Sequence, residues 1–90
     1  MAKVRFTSAL SRFFPTLTEL EIEGNTVKEA LNNIEQTHPG ILNYLVEDNG
    51  PLRKHVNIFV RGELIKDRIN LSDAVRSQDE LLIFQALSGG

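Results

Sequence analysis

Val56-Asn57-Ile58-Phe59-Val60-Arg61-Gly62-Glu63-Leu64-Ile65 is the stretch on which the fold turns. Val56-Asn57-Ile58-Phe59-Val60, a short run rich in β-branched and aromatic residues, is the best strand in the sequence. Arg61-Gly62 reads as a turn, and Glu63-Leu64-Ile65 as a short strand after it. Side chains of a strand alternate between faces, so if Val56, Ile58 and Val60 meet a core, Asn57 and Phe59 point away from it.

Working outward toward the C-terminus, Asn70-Leu71-Ser72-Asp73 is a turn that Leu71, Ala74 and Val75 are expected to pin to the core. Glu80 to Ala86, with Leu81-Leu82-Ile83-Phe84, predicts the last strand. Leu87-Ser88-Gly89-Gly90 reads as a flexible tail. Toward the N-terminus, Asp48-Asn49-Gly50-Pro51 is a strong break, and Ile41, Leu42 and Leu45 suggest a short helix or turn. Thr26 opens the main helix. Thr26 and Glu29 have the S/T-x-x-E spacing of a capping box, in which hydroxyl and carboxylate each satisfy a backbone N–H. Val27, Ala30, Leu31 and Ile34 form one apolar stripe, and Pro39-Gly40 ends the helix. Leu20-Glu21-Ile22-Glu23 alternates and stops at Gly24-Asn25. Val4 and Phe6 mark a first strand, joined to the second by a polar connection, Ser8 to Pro15, that carries Phe13-Phe14.

The predicted order is strand, strand, helix, strand, strand, strand, an α+β arrangement in one domain of 90 residues. The expected core is Val4, Phe6, Leu20, Ile22, Val27, Leu31, Ile34, Val56, Ile58, Val60, Leu81 and Ile83. A helix of three turns, about 18 Å long, covers one face of such a sheet and leaves the other to solvent or a partner. A composition of 41% hydrophobic and 24% charged residues is that of an ordinary globular domain. The net charge of −2 argues against a general nucleic-acid binder, which normally carries a basic excess. With no cysteine, disulfides, thiolate metal sites and cysteine nucleophiles are excluded. No apolar run approaches the roughly 18 residues of a membrane span, and Met1-Ala2-Lys3-Val4-Arg5-Phe6 has no signal core. A cytoplasmic location is expected, with no membrane partner.

Gly89-Gly90 is the candidate chemical site. A carboxylate is a poor electrophile until activated, and an enzyme that activates a chain terminus must admit it to a narrow, dry channel. Glycine has no side chain to obstruct such a channel and tolerates unusual dihedrals. The competing reading is a frayed end without a role. Elsewhere the chemistry is sparse. His38 is expected at a helix end and His55 at a strand start, both structural, and no metal-ligand spacing is present. Ser8, Ser11, Ser72, Ser77 and Ser88 lie in no nucleophile motif. Arg53-Lys54-His55 is either a solvated charge run or a docking patch.

The sequence resembles the MoaD/ThiS/CysO family of ubiquitin-like sulfur-carrier proteins over nearly its whole length. Val56-Asn57-Ile58-Phe59-Val60-Arg61-Gly62-Glu63 is similar to that family's "VNIxVNGE" hairpin. Leu71-Ser72-Asp73 through Asp79-Glu80-Leu81-Leu82-Ile83-Phe84 is similar to its approach to the last strand, and Gly89-Gly90 to its terminus. The insert from Gly40 to His55 is more like MoaD or CysO than the shorter ThiS. The family's tight D-G-D-E turn is here Ser77-Gln78-Asp79-Glu80, and its proline-rich lead into the tail is Gln85-Ala86-Leu87-Ser88.

The resemblance implies a ubiquitin-like β-grasp fold, a mixed five-strand sheet with one main helix packed on one face. It implies a carrier rather than an enzyme: a MoeB/ThiF-like E1 enzyme adenylates Gly90 with ATP, a sulfur donor converts it to a thiocarboxylate, and a synthase takes the sulfur. No cofactor is held permanently. A tail-processing metalloprotease is a further possible partner. Cysteine, molybdopterin, thiamine, tRNA thiolation and secondary metabolites remain open as destinations. In a β-grasp sheet the third and last strands are neighbours, so Phe59, Leu82 and Phe84 would form an apolar patch on the helix-free face. Such a patch usually marks an interface. Gly89 and Ser88 would complete the tail. The alternatives are a protein modifier joined to lysine through Gly90, and a non-covalent β-grasp interaction subunit.

Overall fold

Strands β1 (Ala2–Phe6) and β2 (Glu19–Ile22) pair antiparallel, with Ala2 opposite Ile22 and Arg5 opposite Glu19. The structure, a computed structural model, describes residues 1–7, 14 and 18–85. The expected Gly-Gly tail and, Phe14 apart, the connection from Ser8 to Pro15 lie outside the described residues.

Helix α1 spans Val27–Thr37 and buries the expected stripe of Val27, Ala30, Leu31 and Ile34. Gly24 lets β2 pass close to it. Its φ is +151°, and a Cβ there would lie 2.7 Å from the backbone nitrogen of Ala30. At the cap, the Thr26 hydroxyl accepts from the Glu29 N–H at 3.2 Å. Glu29 reaches back, but to the N–H of Asn25 at 2.9 Å rather than to that of the cap residue. The N–H groups of Val27 and Lys28 donate to the carbonyls of Asp73 and Leu71. The 71–73 turn is thereby bound to the start of the helix, and buried Leu71 takes a φ of +56° to reach it.

At the other end, the Glu35 carboxylate accepts from the N–H groups of Gly40 and Leu42 and draws in helix α2, Leu42–Leu45. Strands β3 (Val56–Val60) and β4 (Glu63–Leu64) form the expected hairpin. Arg61 and Gly62 have φ of +53° and +79°, the positive values at both central positions that a type I′ turn demands. Strand β5, Glu80–Gln85, lies between β1 and β3, parallel to the first and antiparallel to the second. The sheet order is β2-β1-β5-β3-β4. This mixed five-strand sheet with one main helix on one face is the β-grasp arrangement that the resemblance implies.

The core is the expected one with additions. Ala2, Ala30, Ile41, Leu45, Leu52, Ile65, Leu71 and Val75 join it, while Phe6 and Leu20 pack against its edge half-buried. Ala74 departs from expectation: it is exposed, and makes a backbone bridge with Thr26 instead of filling the core. His55 stands in the turn before β3 rather than in the strand. Buried Asp79 was not foreseen. Its carboxylate accepts from the Arg76 N–H at 2.7 Å and forms an ion pair with Arg61, closing the turn that lacks the family's glycine.

Candidate functional site

The register of the sheet sets Leu64, Phe59, Leu82, Arg5 and Glu19 side by side, one from each strand. All five lie on the face opposite α1, because their strand neighbours Val4, Ile58, Val60, Leu81 and Ile83 are the buried ones. Leu64 is 49% exposed, Leu82 38% and Phe84 41%, and Phe59 is half-buried between them. The expected patch of Phe59, Leu82 and Phe84 is therefore present, and Leu64 extends it. Leu64 could have been found from sequence: a two-residue Arg61-Gly62 loop pairs Val60 with Glu63 and so brings Leu64 opposite Phe59.

The face is apolar on one side and charged on the other. Strand β1 contributes Arg5 and Lys3. Arg5 pairs with Glu19 at 2.9 Å, and Lys3 lies in register between Glu21 and Glu80. A depression of about 340 Å³ lined by Arg5, Phe59, Gly62, Glu80 and Leu82 joins the two halves. The exposed Arg5–Glu19 pair adds little stability. It sets a charged border beside the apolar patch.

Strand β5 ends beside the start of β3. Gln85, the last described residue, is the partner of Val56, and its N–H donates to the Thr7 hydroxyl at 3.4 Å. The expected covalent site Gly90, with Gly89 and Ser88, lies outside the described residues. Of the Arg53-Lys54-His55 run, Lys54 and His55 are exposed. Arg53 is tied down, donating to the Asn43 carbonyl at 2.9 Å and to Glu47 at 3.0 Å, so the run is not a uniform free cationic patch.

Arg68, which sequence reading passed over, caps this end of the sheet. Its Nη2 donates to the carbonyls of Arg53 (2.8 Å) and Val56 (2.9 Å), and its Nη1 to Asn57 Oδ1 (3.1 Å). The physical reason lies in the edge of β3. Ile58 O accepts from Ile65 N–H, where β4 runs out; two residues back, the guanidinium takes the Val56 carbonyl in place of a strand.

His38 sits at the end of α1, as expected. Thr37 Oγ1 lies within hydrogen-bond distance of both the Ile34 carbonyl, at 3.1 Å, and His38 Nδ1, at 2.9 Å. Phe14 meets His38 and Tyr44 edge-on, with ring centroids 6.5 and 5.8 Å away. Among the described residues, no group of three or more His, Cys, Asp or Glu could hold a metal ion, and no helix is long and apolar enough to cross a membrane.

The sequence matches the ThiS family over residues 4–90. The chain belongs to the ThiS family. It is a ubiquitin-like protein of the ThiS/MoaD sulfur-carrier and modifier kind. Small archaeal modifier protein 1 of Haloferax volcanii is 32% identical to this ThiS-family chain over 72 residues, 79% of this chain and 78% of that one. The crystal structure of the Amycolatopsis orientalis BexX/CysO complex contains a chain that superposes with a TM-score of 0.86 at 28% identity, covering 100% of both. The crystal structure of Haloferax volcanii SAMP1 superposes with a TM-score of 0.78 at 27% identity, covering 99% of this chain and 98% of that one.

Proposed function

We propose that this ThiS-family protein is a sulfur carrier whose reacting group is the backbone carboxylate of Gly90. The observation that carries the reading is the family match itself, which runs through Gly89 and Gly90 to residue 90. The sheet supports it. Strand β5 presents the tail from one end and two members of the apolar patch, Leu82 and Phe84, along its length. A partner seated on the face therefore stands beside Gln85, from which the chain continues to Gly90. That a similar chain is solved in a BexX/CysO complex agrees with a protein built to be taken up by others.

The chemistry proceeds on a partner enzyme of the MoeB/ThiF kind, which supplies ATP and catalytic side chains. A Gly90 carboxylate oxygen bonds to the α-phosphorus of ATP, and pyrophosphate leaves. Sulfide from a donor then bonds to the carbonyl carbon, the C–O bond to phosphate breaks, and AMP leaves. A sulfur-accepting synthase takes the sulfur from the resulting thiocarboxylate, and a metalloprotease would trim any residue added beyond Gly90. The carrier contributes the acyl group and the docking face.

The test is incubation with ATP, the adenylating enzyme of the same cell and sulfide, read by intact mass. The chain should gain the mass difference between sulfur and oxygen. Deleting Gly90 shortens the reach by about 3.5 Å, and a misplacement of even 1 Å can lower a rate by about a hundredfold. The shortened chain should fold and bind but accept no sulfur. Equal loading of both chains would refute the mechanism.

The name of the relative from Haloferax volcanii favours a second reading, a modifier joined to lysine through the same carboxylate. Isopeptide-linked conjugates in cell extract would distinguish it.

A further inference from the structure

We propose that Asn57, held by Arg68, is a specificity-determining donor at the tail exit, and that it receives a carboxylate of the activating enzyme; the inference rests on the sulfur-carrier reading above. An arginine has no acceptor, so the Asn57 atom 3.1 Å from Arg68 Nη1 must be the amide oxygen. This fixes the amide plane and leaves Nδ2 as the free end. Asn57 stands directly opposite Phe84 on the open face, one position along β3 from Val56, the partner of Gln85. An oriented NH2 group thus sits between the apolar patch and the root of the tail.

Its surroundings are donors. Among the described residues, Asn57 Nδ2, the Arg68 Nε–H and the second Nη1–H have no hydrogen-bond partner, while three other N–H groups of the guanidinium are engaged. Exposed Lys54 adds an ammonium just before β3. The nearby Glu47 carboxylate is already taken by Arg53. Charge complementarity therefore selects an acceptor, and an anionic one over a neutral carbonyl. Arg68 is a positioning residue. It orients Asn57 and, through the carbonyls of Arg53 and Val56, holds the segment on which the tail-bearing strand rests.

The experiment compares wild type, Asn57→Asp and Arg68→Lys with the adenylating enzyme of the same cell. Binding is measured by calorimetry at low and high salt, activation by pyrophosphate exchange, and folding by thermal melting. Asn57→Asp keeps an acceptor for Arg68 and should stay folded, but it turns a donor into a like charge. Its affinity should fall by about tenfold or more, with a matching rise in KM for the carrier and kcat within about twofold. Arg68→Lys keeps the charge but not the fork, and should show the same KM effect more weakly. The wild-type affinity should drop with salt more steeply than that of Asn57→Asp. Unchanged binding of Asn57→Asp overturns this inference alone. Equal salt dependence of the two chains also overturns it, because the acceptor would be neutral. A wild-type chain that the enzyme neither binds nor activates overturns the sulfur-carrier reading with it.

Discussion

Phe59 and Leu82 stand directly opposite each other across the β3–β5 ladder, on the face that α1 leaves open. A cross-strand pair of this kind contributes about 0.2–1 kcal/mol to the sheet. It also gives the patch a fixed base, against which Leu64 and Phe84 project further into solvent.

Phe84→Ala should therefore separate binding from folding. The ring is 41% exposed, so little core packing is lost. Truncating an aromatic anchor at an interface often costs about 2 kcal/mol or more, and affinity for the activating enzyme should fall at least about tenfold. Titration calorimetry gives the affinity, and far-UV circular dichroism checks the fold. Undiminished affinity in a folded variant means that the patch is not the docking face.

Leu31→Ala tests the opposite face. Leu31 is buried in the stripe that seats α1 on the sheet, and removing such a side chain costs about 2–5 kcal/mol through lost transfer energy and the cavity left behind. Urea unfolding measures it. A loss well below about 1 kcal/mol would contradict the packing of the helix described above.

Gly24→Ala should destabilise through the backbone. Its Cβ would lie 2.7 Å from a main-chain nitrogen of α1, which has no rotamer by which to yield, and φ is already +151°. Strain of this type costs about 1–3 kcal/mol. Gly50→Ala is the control: its φ of +112° is also left-handed, but its Cβ would meet nothing. If the two variants melt alike, close approach to the helix is not what selects glycine at Gly24.

Acid should loosen the two turns that carboxylates organise. The Gly40 and Leu42 N–H groups hold the Glu35 carboxyl below its ordinary value. The Ser72 hydroxyl, then the Asn70 N–H, do the same for Asp67. A carboxylate depressed in the folded state adds stability that is present above its unfolded value and lost as pH falls through the folded one. The melting temperature should be insensitive to these groups near neutrality and should decline below about pH 4. Asp67→Asn should flatten that decline. A variant whose acid profile matches wild type would remove Asp67 from the explanation.

The fold was legible because its signals are local. Short apolar runs located β3 and β5, and the Thr26-Glu29 spacing located the helix start. Phe59, Leu82 and Phe84 followed from alternation once β3 and β5 were neighbours. The rest depends on groups distant in sequence. Arg68 reaches residues more than ten positions away, and the buried carboxylate of Asp79 pairs with Arg61, 18 positions earlier. Ala74 misled because an apolar residue between buried Val75 and the 71–73 turn was needed for its backbone, not its side chain.

Strand β5 has a consequence for how the protein is made. Among the described residues, the β1–β2 and β3–β4 hairpins share no ladder; each is joined to the sheet through β5. The bond from Gln85 to Thr7 spans 78 positions, so the closing contacts are long-range, the kind that form late because chain entropy must be surrendered first. Of the described strands, β5 is the last to leave the ribosome. Leu82 and Phe84, half of the apolar patch, enter the sheet in the same event that joins its halves. A chain that ends before residue 80 lacks Leu82 and Phe84, and with them half of the apolar patch.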